Sequence, residues 1–175
     1  GEPIDYDLQI FLTQSPPEPI TLNNTVTGSI TELGEQNIYT FEGSLGQRII
    51  FDSIAGNNNI LIELKNESGN VIYNSHTNAD SGVLPLLESG TYQLTVDGSG
   101  AATGDYSFAL RDNVSPLTVG TLVDGSLNAY ELTLYEFKGT IGSQLSFDSL
   151  SSVTNAEWRL YAPDGREVVR NNLAQ

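Results

Sequence analysis

A chain of 175 residues with 22 acidic against 7 basic side chains carries a net charge of −15, which opposes binding to nucleic acid or to an anionic membrane surface. It contains no cysteine and no methionine, so a disulfide framework, a thiol nucleophile and a thiolate metal site are all excluded. No stretch reaches the roughly 18 consecutive apolar residues of a membrane span, and the opening Gly1-Glu2-Pro3 has no basic-then-apolar signal pattern.

The first patterned segment, Asp5-Tyr6-Asp7-Leu8-Gln9-Ile10, resembles Asp105-Tyr106-Ser107-Phe108-Ala109-Leu110 farther along. Each is followed by a proline-containing joint, Ser15-Pro16-Pro17-Glu18-Pro19 and Ser115-Pro116, which reads as a short, stiff spacer between modules. Short strands then follow at even spacing over 20–30, 37–42, 47–54, 59–65, 70–75 and 82–87. Two more show clean alternation: Tyr92, Leu94 and Val96 against Gln93, Thr95 and Asp97, then Tyr106, Phe108 and Leu110 against Asp105, Ser107 and Arg111. Glycine-rich turns punctuate them, among them Gly43-Ser44-Leu45-Gly46, Glu67-Ser68-Gly69-Asn70 and Asp97-Gly98-Ser99-Gly100. No segment sustains a helical period.

After this unit the chain repeats itself. Residues 39–53 read YTFEGSLGQRIIFDS and residues 135–149 read YEFKGTIGSQLSFDS. An offset of 96 carries Phe41 to Phe137, Gly43 to Gly139, Gly46 to Gly142, Asp52 to Asp148 and Gly69 to Gly165. Upstream, Gly28-Ser29-Ile30 matches Gly125-Ser126-Leu127 at 97, so the first copy holds one extra residue between Ile30 and Tyr39. A fixed period of this length marks a module built twice. The expected organisation is the last strand of a preceding repeat with its linker at 1–15, a complete repeat at 16–113 and a C-terminally incomplete one at 114–175. Gln175 aligns with Ala79, so the expected chain is an internal piece of an exported protein.

Short strands with one apolar face each must pair two sheets to hide those faces. The expected fold is therefore all-β, in tandem jelly-roll-like β-sandwich modules. Phe41, Phe51, Tyr92, Tyr106 and Phe108 should form the core of the first unit, with Phe137, Phe147, Trp158 and Leu160 in that of the second.

The full unit resembles the bacterial pre-peptidase C-terminal domain, in the repeated form found in large exported proteins. The resemblance rests on Gly28-Ser29-Ile30, Tyr39-Thr40-Phe41, Gly46-Gln47, Phe51-Asp52, Leu64 with Ser68-Gly69-Asn70, the run Gly90-Thr91-Tyr92-Gln93-Leu94-Thr95-Val96, and Gly104-Asp105-Tyr106-Ser107-Phe108. It spans 20–112 fully and 117–175 in part. The resemblance implies a small jelly-roll sandwich that accompanies secreted peptidases or forms arrays on surface proteins, with roles in secretion, adhesion or polymer binding. Some relatives bind calcium or collagen; no stretch here matches their ligand-bearing segments residue by residue, so neither activity is carried over.

The chemistry legible in the residues is sparse. His76 is the only histidine, and without a nucleophile elbow such as G-x-S-x-G it reads as an exposed loop residue. Zinc lacks an N/S ligand set. Calcium, which takes clustered oxygens, would find Asp97 and Asp105 on either side of the 98–104 loop, although an Asp beside a glycine is also an ordinary turn former. The recurrent Asp52 and Asp148 suggest a repeated structural role such as accepting loop N–H groups. Asn23, Asn66 and Asn113 open N-glycosylation sequons and mark surface positions, which a bacterial protein would leave unmodified.

The resulting expectation is a non-enzymatic structural or adhesive module of a secreted or cell-surface protein. Its partners would be neighbouring repeats or other copies of the chain, the latter by strand complementation, although one added strand cannot replace the counterparts of both 82–87 and 91–96. The alternative is an accessory domain of a secreted hydrolase that binds a polysaccharide or protein polymer through solvent-facing aromatics, for which Tyr73, Tyr130 and Tyr161 are the candidates.

Overall fold

The computed structural model describes residues 14–127, 131–150 and 152–174; the strand read at 5–10 and Tyr130 lie outside them. Thirteen strands run through the described residues: β1 (Glu18–Pro19), β2 (Thr25–Ile30), β3 (Gln36–Gly43), β4 (Arg48–Ala55), β5 (Ile60–Lys65), β6 (Val71–His76), β7 (Leu84–Pro85), β8 (Gly90–Gly98), β9 (Gly104–Arg111), β10 (Val114–Pro116), β11 (Leu134–Glu136), β12 (Glu157–Tyr161) and β13 (Glu167–Asn172). No helix occurs among these residues, and the fold is all-β.

The first unit forms two sheets, ordered β1-β3-β8-β5-β6 and β2-β9-β4-β7. Strands β2 to β5 pair with β9 to β6 in reverse order: β2 with β9, β3 with β8, β4 with β7 and β5 with β6, all antiparallel. A long hairpin wound around a barrel in this way is the jelly-roll wrap. Apart from the β5–β6 hairpin, it places consecutive strands of the unit in opposite sheets, so the inward faces of both close on one core.

Inward residues are those that the alternation singles out. In β8 Tyr92, Leu94 and Val96 are buried while their neighbours are not, because successive side chains of a strand point to opposite faces. Tyr92, Tyr106, Phe51 and Phe108 are among the largest fully buried side chains. Phe51 stacks on Phe108 at 5.1 Å between ring centroids and Phe41 on Tyr92 at 5.4 Å. Tyr39 and Tyr106 meet through their hydroxyls at 2.7 Å inside the sandwich, and Asn37 Nδ2 donates to Tyr106 Oη at 2.9 Å. Burial raises both phenols above their ordinary range.

Three segments differ from the sequence reading. The strand expected at 20–30 begins only at Thr25, because Asn24 N–H closes a turn on the Thr21 carbonyl and Asn23 takes a positive φ of 69°. The strand expected at 82–87 shrinks to Leu84–Pro85, since Pro85 has no N–H for a ladder and is tolerated only at an edge. The proline joints are not free-standing spacers either. Glu18 and Pro19 pair in parallel with Tyr39 and Thr40, and Val114, Ser115 and Pro116 with Leu134, Tyr135 and Glu136. Each joint is an edge strand of the unit that follows it.

The 96-residue offset extends to hydrogen bonds. Hairpin β12–β13 has the register of β5–β6, including the bulge: Trp158 opposes Asn171 as Ile62 opposes Ser75, and the ladder slips at Leu160/Tyr161 as at Leu64/Lys65. The turn bonds Ala162 N–H to Arg166 O and Gly165 N–H to Ala162 O match Asn66 to Asn70 and Gly69 to Asn66. Gly69 and Gly165 share a left-handed φ of 81° and 85°, which only glycine adopts without strain.

Burial does not recur. Phe147 stacks on Trp158 at 4.9 Å but is exposed, and Phe137, Trp158 and Leu160 are only half-buried. The expectation that these four are core residues is thereby corrected. Their counterparts in the first unit, Phe41, Phe51, Ile62 and Leu64, are covered by the pairing of β3 and β5 with β8 and of β4 with β9.

Candidate functional site

The register of the five-stranded sheet aligns its outer face in rows. Gln36, Asp97, Leu61 and His76 lie side by side across β3, β8, β5 and β6, and Thr95, Glu63 and Asn74 form the next row. Together they line a shallow groove of about 380 Å³. It presents two carboxylates, two amides, a hydroxyl and the imidazole, with Gln36 Nε2 donating to Asp97 Oδ2 at 3.0 Å and Lys65 ion-paired to Glu63 beside it. Such a surface can exchange hydrogen bonds with a polar chain lying along it. His76 is exposed on β6, and among the described residues its ring makes no hydrogen bond to a hydroxyl or a carboxylate.

Asp97 and Asp105 fall in different sheets. Asp97 is bonded to Gln36 on β8, while Asp105 is exposed on β9 opposite Ser29. Neither belongs to a cluster of three or more His, Cys, Asp or Glu among the described residues.

Asp52 is buried on the outer face of the four-stranded sheet, where it opposes Ala109. Its carboxylate accepts a 2.9 Å hydrogen bond from Arg111 Nε on the neighbouring strand, in place of the expected loop N–H groups. Burial raises the Asp52 carboxyl above its usual range, and the guanidinium opposes that rise. Arg111 also donates to the Asn23 carbonyl at 2.8 Å, so the pair ties the end of β9 to the turn ahead of β2. Nothing local to Asp52 announces a partner 59 residues away; only the pairing of β4 with β9 brings them together.

The aromatic platform expected for polymer binding is not formed by the two described candidates. Tyr73 opposes the buried Leu64 on β6, so its ring turns inward to lie 6.3 Å from Phe51. Tyr161 is half-buried, with its ring edge against Gly82. The groove was missed because it is a property of register: its residues come from four strands, and no local pattern joins them.

The sequence matches no protein-family model, and no curated protein matches it. Partial likenesses to solved structures do occur. The pre-peptidase C-terminal domain of a collagenase from Bacillus anthracis is 21% identical, with 55% of this chain and 95% of that one covered and a TM-score of 0.48. PliG from Aeromonas hydrophila, a periplasmic inhibitor of g-type lysozyme, is 17% identical over 54% of this chain and 94% of its own, at a TM-score of 0.47. PliG from Salmonella Typhimurium follows at 14% identity and a TM-score of 0.39, over 54% and 96%. Each of these likenesses spans about half of this chain and nearly the whole of the other.

Proposed function

We propose that the chain is a non-enzymatic structural or adhesive segment of a large secreted or cell-surface protein, in which 16–113 and 114–175 belong to consecutive copies of one β-sandwich repeat. The observation that carries this reading is the recurrence, at a constant offset, of hairpin register, bulge and turn bonds. Two unrelated segments would have no reason to share a ladder slip at the same place. A scaffold of this kind needs cohesion and surface rather than a reacting centre. Its acidity keeps such surfaces from associating without a partner.

Two measurements on the full chain test the reading. Incubation with ester, peptide and glycoside substrates should give no turnover; hydrolysis that His76→Ala abolishes overturns it. Light scattering across a concentration series, with calcium and then with EDTA, should return one mass throughout. A mass that grows with concentration shifts the reading to strand-complemented assembly, and a calcium requirement makes Asp97 and Asp105 the first residues to replace.

The polar groove favours a second reading, an accessory domain that holds an extracellular polymer along β8 and β5. Retention on immobilised glycan or collagen that Gln36→Ala and Asp97→Ala both abolish supports it. Retention unchanged in both variants removes the groove from consideration.

A further inference from the structure

The passage from the first unit into the second is held at two separate places. Only Asp112 and Asn113 separate β9 from β10, a reach of about 11 Å at most from Arg111 to Val114. Asp112 is clamped on three sides: its carboxylate accepts from Asn23 Nδ2 and from Gln47 Nε2, each at 2.7 Å, and its N–H donates to Asn23 Oδ1 at 3.0 Å. The chain therefore leaves the first unit in a fixed direction.

The second contact lies at the edge of the four-stranded sheet. Strand β7 is two residues long and carries Pro85 opposite Arg48. On this edge sits the turn of hairpin β12–β13. Arg48 Nη2 donates to the Pro163 carbonyl at 3.3 Å. A Cβ at Gly82 would lie 3.2 Å from the Tyr161 ring, and one at Gly165 only 2.5 Å from the Val83 carbonyl. Gly69 supplies the internal control. It has the same turn bonds and the same left-handed φ as Gly165, but nothing lies within 4 Å of its Cβ position. Turn geometry alone thus does not account for the packing at Gly165.

A short tether by itself leaves rotation about its own bonds. A second contact away from it removes that freedom and also covers a strand edge that would otherwise be open to pairing. We propose that the Asp112 clamp and the Gly82–Pro85 seat form a two-point joint that holds consecutive units at one angle, the partner of the seat being the following unit of the same chain. This rests on the repeat reading above, and it makes the array a rod of set pitch rather than beads on flexible links.

The test uses the full chain, whose lack of cysteine allows spin labels at Thr91→Cys and Asn172→Cys alone. The joint predicts one narrow distance distribution, at least doubled in width by Gly82→Leu and by Tyr161→Ala, and left narrow by Gly69→Ala. Tyr161→Ala leaves the first unit untouched, so its result stands even if Gly82→Leu misfolds. A broad distribution in the parent, or a narrow one that neither joint variant widens, overturns the joint. Cross-strand nuclear Overhauser effects between Trp158 and Asn171, read on the same protein, separate the two levels. Their presence with a broad distance removes the joint and leaves the repeat reading standing, whereas their absence removes both.

Discussion

Ile62 and Trp158 hold the same place in two hairpins of identical register, yet Ile62 is 1% exposed and Trp158 is half-buried. Phe51 is 0% exposed and its counterpart Phe147 is 42% exposed. The comparison separates two things that a folded domain usually presents together. Glycine at the left-handed position, the turn hydrogen bonds and the bulge recur together with the hairpin in both copies, and all of them are made by residues close in sequence. Burial depends on β8 and β9, which come last in the unit and pair with strands far back in sequence. Closure of the core thus rests on pairing between strands distant in sequence, whereas the bonds of each hairpin turn are local.

The largest expected effect breaks this comparison at the aromatic pair. Phe51→Ala removes a ring packed against Phe108 and Tyr73 and should cost about 3–5 kcal/mol, as buried aromatic truncations do. Phe147→Ala removes a ring with water on one side and should cost about 1 kcal/mol or less. The urea midpoint of the main cooperative transition measures both. Equal losses would mean that the second copy closes a core of its own.

Much of this was legible in the sequence. Alternation located β8 and β9, and the glycines located the turns between strands. Tyr92, Tyr106 and Phe108 were legible as core because an aromatic at every second position has only one face to enter. What the sequence did not disclose was pairing at long range. Asn23 and Asp112 are 89 positions apart, and neither stands in a pattern that anticipates the other. The proline joints were misread because proline does forbid a central strand, while a parallel edge needs few of its N–H groups. The groove needed the register of four strands at once, and the register of a sheet is set by the whole fold.

A second, smaller contrast concerns the tyrosines. Tyr39 donates to or accepts from Tyr106 inside the sandwich, whereas its counterpart Tyr135 is 45% exposed. Tyr106→Phe strands the Tyr39 hydroxyl away from water and should cost about 1–3 kcal/mol, while Tyr135→Phe should be near neutral. Both buried phenols have folded pKa values raised above the ordinary 10.0, chiefly by burial. The unfolded chain then loses protons first, so stability holds below pH 10 and falls as pH rises beyond it. Urea midpoints from neutral to strongly alkaline pH should show this fall in the parent and a shallower one in Tyr106→Phe. A fall of unchanged slope would assign it to other groups.

The smallest expected effect sharpens the comparison where the first copy carries its extra residue. In the 31–35 loop the Glu35 carboxylate accepts from Thr31 N–H at 2.6 Å, Thr31 Oγ1 at 2.8 Å and Glu32 N–H at 3.0 Å. The Thr31 N–H contributes most to holding the carboxyl below its usual 4.5, against a smaller opposing effect of burial. A lowered carboxyl pKa gives stability that is present above the unfolded value and lost as pH falls through the folded one. Glu35→Gln keeps an acceptor but removes the charge, so it should lower the urea midpoint slightly at neutral pH and converge with the parent in acid. The difference between the two curves is the quantity to read, because Asp52, raised by burial, acts with the opposite sign and cancels out of it. A difference that persists unchanged into acid would mean that the loop is held by its turn and not by the Glu35 charge.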